Sequence, residues 1–499
     1  MTQGQLEKLP LKISRIFSDL EIRIMTDIVR RIKENGFSTA SSDWQITRLQ
    51  QLGKAEEDIK KRIQEALKAS DEEMDRIFSD EVYREYYGYD RYYKVSGFEQ
   101  IPLEDNVPLQ QTIEAVKRQI SGEYKNLANS MGFAIRGADG RITYWPLMEF
   151  YRSTMDGAVM DIVSGAFSYN QVLSRTIKKM TDSGVRWIDY DSGHHNRIDV
   201  AARRAIMTGF RQVQGKINEQ VAKDLGTDSY EVTYHVGARP EHQKWQGRVW
   251  TMEQLQSVCG LGTVTGLKGA NCYHDYNAFI PGISVRSYTD KQLEQMMKEE
   301  NIPKTYNGKQ YTTYEALQQQ RRMETAMRKS RQDIKLLQEG GADEMEVMLK
   351  KAKYQGQMQK YREFSKAMGL PEQMKRVYQD GLRGKFTPTK TELKKIEPPI
   401  LKNAAGKDII EVKRVTLTGN PNSITQLTGK KGGIERNYYD ENGRQYKQIS
   451  NNDHGNAKRH PYGNRGEHAH DYVYKDDKLI DRPARELTEN ERKENLDIL

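Results

Sequence analysis

EVTYHVGARPEHQKWQGRVW, residues 231–250, is too irregular to be one face of a helix. Val232, Tyr234 and Val236 alternate with polar neighbours, the period of a short strand. Gly237 then opens a turn that Pro240 stiffens by fixing its φ angle. Arg239 and His242 are therefore expected on a loop held by a strand. Two readings of that loop stand side by side. In one, Arg239 stacks on the indole of Trp245 while backbone carbonyls take its donors, a structural lock. In the other, Arg239, His242, Trp245 and Gly247 form a recognition motif. Catalysis would need a second activated group, which the stretch does not supply.

C-terminal to it, residues 258–269 are glycine-rich, but Lys268 is followed by Gly269 rather than Ser or Thr, and the glycine spacing fits neither nucleotide fingerprint. An irregular connector is expected. His242, Cys259, Cys272 and His274 offer the thiolates and imidazoles that zinc prefers. The cysteines are not a CxxC pair and the histidines lie far apart, so the expectation is a packed loop with buried cysteines and no cofactor, with zinc or another divalent metal as the alternative.

On the N-terminal side, Ile13, Ile16, Phe17, Leu20, Ile24, Ile28 and Ile32 recur at helical spacing up to Asn35-Gly36. Trp44 to Leu52 and Ile59 to Leu67 suggest two more helices with Gly53 between them. In EVYREYYGYDRYY, residues 81–93, tyrosines interleave with arginines. That is a stacking platform for single-stranded nucleic acid or, alternatively, a helix that buries its rings and keeps its hydroxyls wet. Helical patterns continue from Ile113 to Leu127, Leu147 to Val163, Ser168 to Thr181 (Ser168 as cap, Gly184 as stop) and Asp199 to Leu225. A turn at 137–140 and a short strand at 141–145 interrupt them. Arg203, Arg204 and Arg211 present either a basic face to an acidic partner or phosphate backbone, or a solvated back to a core helix. Two long polar helices, residues 314–340 and 343–368, carry Arg321 and Arg322 and have few apolar anchors, so they are expected to lie on a partner or bridge domains.

Composition narrows the class. Of 499 residues, 36% are apolar and 30% charged, with net charge +9, and the mean hydropathy is −0.86. One large core is excluded, and a mildly basic protein is compatible with nucleic acid nearby. Two cysteines are too few for a secreted disulfide scaffold. No signal core or stretch of about 20 apolar residues is present, so a protein made in a cytosol with no membrane segment is expected.

YHVGARPEHQKWQGRVW, GANCYHDY (269–276) and FIPG (279–282), with SGAFSY (164–169), IDYDSG (188–193) and AARRA (201–205), closely resemble the phage minor capsid protein 2 family of tailed bacteriophages and prophages. The family is distantly similar to Mu F-like head morphogenesis proteins. The resemblance covers roughly residues 5–380. It implies a structural virion protein present in few copies inside the capsid near the portal. Its implied partners are portal and capsid proteins and packaged DNA, with the host cytoplasm as its place during assembly and a role in head morphogenesis, packaging or ejection.

Pro388, Pro398 and Pro399 mark a linker to a separate C-terminal module. Strand-like Val412 to Leu417 and Tyr446 to Ile449, with the turn Asp440-Glu441-Asn442-Gly443, suggest a small mixed sheet. Four of nine histidines fall between 454 and 470. His454, His460, Glu467, His468 and His470 supply a candidate acid and base or a metal set, and Lys458, Arg459 and Arg465 a phosphate clamp. A nuclease or toxin-like module stands against a histidine-rich loop with solvated basic residues, and the HNH spacing is not met.

The expectation is a mainly α chain with small α+β elements, an elongated helical body and a mixed α/β module. Its segments are 1–100, 101–230, 231–310, 311–385, a linker at 386–410 and the module at 411–499. A structural, non-enzymatic role leads, ahead of a capsid-delivered nuclease and a sequence-independent DNA-binding protein.

Overall fold

Ile13, Phe17, Leu20, Ile24, Ile28 and Ile32 are all buried on the helix Leu11–Gly36, each contributing about 1.5–3 kcal/mol when fully taken from water. That helix packs against Trp44–Tyr87, Leu147–Val163, Ile198–Asp224 and Thr313–Gly340. The computed structural model describes residues 3–36, 44–164, 166–189, 192–269, 272–396, 400–429, 432–475 and 478–499. They form two compact units, 1–388 and 389–499. As expected, the chain is mainly α with small sheets.

In the first unit, Glu21 is buried and fully engaged. Arg197 Nη2 donates to both its oxygens (2.7 and 2.8 Å), and Val185 N and Gln332 Nε2 donate to them as well. Ile198–Asp224 lies close along Val107–Asn129: a Cβ on Gly209 would stand 2.5 Å from Ile120 Cδ1. The cap at Ser168 and the stop at Gly184 bound the helix Tyr169–Ser183 as anticipated. The hairpin of Met131–Arg136 and Ile142–Pro146 extends through Arg186–Ile188 to His195–Arg197 in one antiparallel sheet.

Several expectations need correcting. Trp44–Tyr87 is one helix running through Gly53, because a single glycine costs only about 1 kcal/mol in a helix. The rings of Tyr86, Tyr89 and Tyr93 are buried, but their hydroxyls are not wet: they donate to Ile101 O, Asn218 Oδ1 and Asp224 Oδ2. The long helix Thr313–Gly340 belongs to the body. Met327, Ile334, Leu336 and Leu337 are buried with polar Gln320, Glu324, Arg331 and Asp333, so paired polar groups on its inner face hid its amphipathicity. Arg331, for example, is bidentate to Asp380 (2.8 and 3.1 Å) and lies over the ring of Phe386.

In the second unit seven strands run in the order Ile400–Lys402, Asp408–Glu411, Ile424–Thr428, Ile434–Tyr439, Gln445–Ser450, His468–Asp471 and Ala484–Arg485. Asp408–Glu411 and Ile424–Thr428 are parallel and the rest antiparallel. The turn after Tyr439 is fixed by Asp440 Oδ1, which accepts from Asn442 N and Arg444 N. Residues 412–417 are not a strand, which ends at Glu411. Pro398 and Pro399 lie outside the described residues. The apolar core is small (Ile409, Ile424, Tyr438, Ile449, Ala469 and Leu487). Beside it, fully buried Arg436 donates to Gln426, Asn495 and Asp497.

Candidate functional site

The strand of the organising stretch is Ser229–Val232, between Val249–Thr251 and Tyr276–Ala278, so it starts and stops earlier than the alternation suggested. Pro240 opens a one-turn helix, Pro240–Gln243, at its N1 position, where a missing N–H has no cost. Arg239 precedes that turn and His242 lies within it. Trp245 packs on His242 (centroids 4.5 Å) and edge-on to His274 (4.8 Å). Gly247 has φ +70°, and a Cβ there would meet Leu293 at 2.5 Å.

His242, Cys272 and His274 converge, all buried. His242 Nδ1 lies 3.4 Å from His274 Nδ1, and Cys272 Sγ lies 3.5 Å from the latter. His242 Nε2 is 2.8 Å from Thr265 O, and His274 Nε2 is 2.8 Å from Gln246 Oε1. Burial first, then the neighbouring His235 and His242, drives the His274 pKa down to about 2, so the ring is neutral. Burial also raises the Cys272 thiol. Cys259 is buried in the apolar core and stands outside the group. The glycine-rich connector is irregular, as expected, and is tied down by Lys268 Nζ, which reaches Arg211 O (2.9 Å) and Asp275 (2.8 Å).

His242 and Cys272 form part of the wall of a cavity of about 1030 Å³, which is also lined by Lys8, Arg203, Arg239, Arg321, Arg328, Lys375 and Arg376 against two carboxylates, Glu324 and Glu372. The cavity is therefore electropositive. Arg203 donates to the Tyr273 hydroxyl, and the guanidiniums of Arg203 and Arg321 stand 5.6 and 5.7 Å from its ring centre. Burial raises the Tyr273 pKa, but the two arginines outweigh it and leave it below the usual phenol value. Of the five arginines singled out in the sequence, Arg203 and Arg321 thus meet. Arg204 lines a separate shallow pocket with Gln119 and Glu123, Arg211 is buried, and Arg322 is exposed outside the cavity. Arg328, from the basic helix, also lines the cavity, and Gln246, from within the motif, backs His274; Arg376 and Thr265 have no local sequence feature that distinguishes them from solvated polar residues.

The family model for phage minor capsid protein 2 matches residues 1–365. The chain belongs to the phage minor capsid protein 2 family. It is accordingly a bacteriophage structural protein of the virion, whose partners are phage structural proteins. No curated protein and no solved structure matches it. No helix among the described residues is long and apolar enough to cross a membrane. The minor capsid match takes in the whole Cys/His group and most of the cavity lining, and it stops before the second unit.

That unit holds the other constellation. His468 and His470 lie on one strand, with Nε2 atoms 3.1 Å apart. His460 stacks on His468 at 3.9 Å, and His454 meets both rings edge-on. Burial, then Arg482 and His468, lowers the His470 pKa to about 4. Glu467 is placed differently: Asn464 N, Arg465 N and Arg492 donate to its oxygens. Although burial opposes it, these bonds hold its pKa at about 2, which makes it a loop lock at neutral pH. Arg482, bonded to Gln448 and lying over Tyr472, is a cation from outside the histidine-rich stretch that acts on His460, His468 and His470, joining Arg459 from within it, which acts on His460.

Proposed function

We propose that the chain acts in head morphogenesis, in few copies on the capsid interior near the portal after assembly in the host cytoplasm, and that its cavity receives an acidic segment of the portal or a capsid protein. The seven cationic side chains facing two carboxylates around Tyr273 support this reading. Many partly desolvated arginine contacts give specificity and a salt-sensitive association. The test is co-purification with the portal protein of the same phage, using the full chain, a chain ending at Pro388, and Arg321→Glu/Arg376→Glu. The first two are expected to bind and the third to lose binding. Equal binding by all three sinks the cavity as the docking site. Packaged DNA is the other anionic partner of this reading, and retention on DNA that stays flat as salt rises would remove it.

The second unit favours a second reading, a nuclease carried by the capsid protein. His468 Nδ1 is 2.8 Å from Gly466 O, so its Nε2 is an acceptor and His470 Nε2 can donate to it. That is a one-proton pair suited to general acid–base work, with Arg482 close enough to neutralise a phosphate. Cleavage of labelled RNA or DNA by the full chain, lost in His468→Asn and His470→Asn with folding unchanged, would support it. No cleavage above a buffer blank by the intact chain would remove it.

A further inference from the structure

The hydrogen bonds behind the buried His242–Cys272–His274 group fix the tautomer of both rings. Thr265 O can only accept, so His242 Nε2 carries a proton. Gln246 Oε1 also accepts from His235 N at 3.0 Å, which fixes it as oxygen, so His274 Nε2 carries a proton too. Both Nδ1 atoms are therefore bare lone pairs, 3.4 Å apart, with a thiol sulfur 3.5 Å from one of them. The thiol proton can satisfy only one of the two, and facing lone pairs in a buried site are costly. A carbonyl or amide oxygen on the far nitrogen of a histidine is the arrangement that orients metal-ligating imidazoles.

Tetrahedral zinc, with Zn–N about 2.0–2.1 Å and Zn–S about 2.3 Å, sets ligand nitrogens about 3.4 Å apart and sulfur about 3.6 Å from nitrogen. The His242–His274 and Cys272–His274 separations match these values, and all three ligand atoms lie within 4.8 Å of one another. We propose that His242 Nδ1, His274 Nδ1 and Cys272 Sγ bind one zinc ion, with the fourth position supplied from the electropositive cavity. Cys272 binds as thiolate, releasing its proton to solvent on metal entry. Arg211 and Arg239 act on both Cys272 and His274 and would oppose an uncompensated dication. The thiolate and an anionic oxygen in the fourth position, hydroxide or phosphate, answer that charge. The metal would join the Pro240–Gln243 turn to the residues preceding Tyr276–Ala278, holding the cavity wall in place.

The experiment uses the full chain, purified without chelator and analysed for metal by mass spectrometry, then exchanged with Co²⁺. About one zinc per chain is expected. The cobalt form should show intense tetrahedral visible bands and a thiolate-to-cobalt charge-transfer absorption. Cys272→Ser should abolish the charge-transfer absorption, while Cys259→Ser and His468→Asn/His470→Asn should keep it. X-ray absorption on the unmodified zinc protein needs no variant and should give one sulfur in the first shell, with the rest nitrogen or oxygen. A folded full chain that takes up neither zinc nor cobalt overturns the proposal. So does a first shell without sulfur, or a cobalt spectrum that disappears with the His468/His470 pair and survives Cys272→Ser.

Discussion

Two histidine groups in one chain have opposite hydrogen-bond logic. In the body, His242 and His274 each spend Nε2–H on an oxygen, so two acceptors face each other beside a thiol. In the second unit, His468 has its tautomer set by the bond to Gly466 O, and His470 Nε2 faces the bare His468 Nε2 and can place a proton between them. The first pair leaves two lone pairs facing each other; the second can close on a proton. Composition treats these groups alike. What separates them is the oxygen behind each ring, contributed by Thr265 and Gln246 in one case and by Gly466 in the other. The contrast extends to the surroundings, since the body group lies between a large apolar core and the electropositive cavity, while the second unit has a small core knit by buried polar bonds.

The largest expected effect tests that last difference. Arg436→Ala takes a fully buried guanidinium from Asn495 and Asp497, which keep the Tyr438 hydroxyl and Ala404 N as donors, and should destabilise residues 389–499 by about 3–5 kcal/mol. Denaturant unfolding should show a lowered transition for that unit alone, and a shift under about 1 kcal/mol would break the contrast. Acid comes next. Glu467 has its folded pKa lowered to about 2, so its contribution is complete above the unfolded carboxylate value near 4.5 and fades as pH falls towards 2. A loss on the order of 2–3 kcal/mol is expected across that window, read as a falling Tm of the second unit. Glu467→Gln should flatten the profile. In the body, packing should dominate. Gly209→Val drives methyls into Ile120 and Val116 and should cost about 1–3 kcal/mol by overpacking, with the second unit's transition unmoved. Smallest is Ser168→Ala, which deletes a capping box and should lower body stability by about 1 kcal/mol.

Elements with a local cause were legible in the sequence. The apolar stripe from Ile13 to Ile32, the Ser168 cap and Gly184 stop, and the Asp440–Gly443 turn depend on residues a few positions apart. Thr313–Gly340 was misjudged because Arg331 and Glu324 look solvent-facing until their partners, Asp380 and Tyr361, are brought up from 49 and 37 residues away. The Cys/His group was visible as composition, but its geometry was not. His242 and His274 are 32 residues apart, and spacing says nothing about which ring nitrogen is bare. The cavity combines cations from residue 8 to residue 376, a separation no window can scan.

The Glu21 carboxylate sets a schedule for biosynthesis. Its partners Val185, Arg197 and Gln332 are made long after it, the last 311 residues later. At translation rates of roughly 5–20 residues per second, about 16–60 s pass before the last exists. During that interval the isoleucine-rich face of the helix Leu11–Gly36 has left the ribosome without its final cover. The body therefore carries an apolar face whose cover is completed late, whereas most strands of residues 389–499 pair with a strand made shortly before.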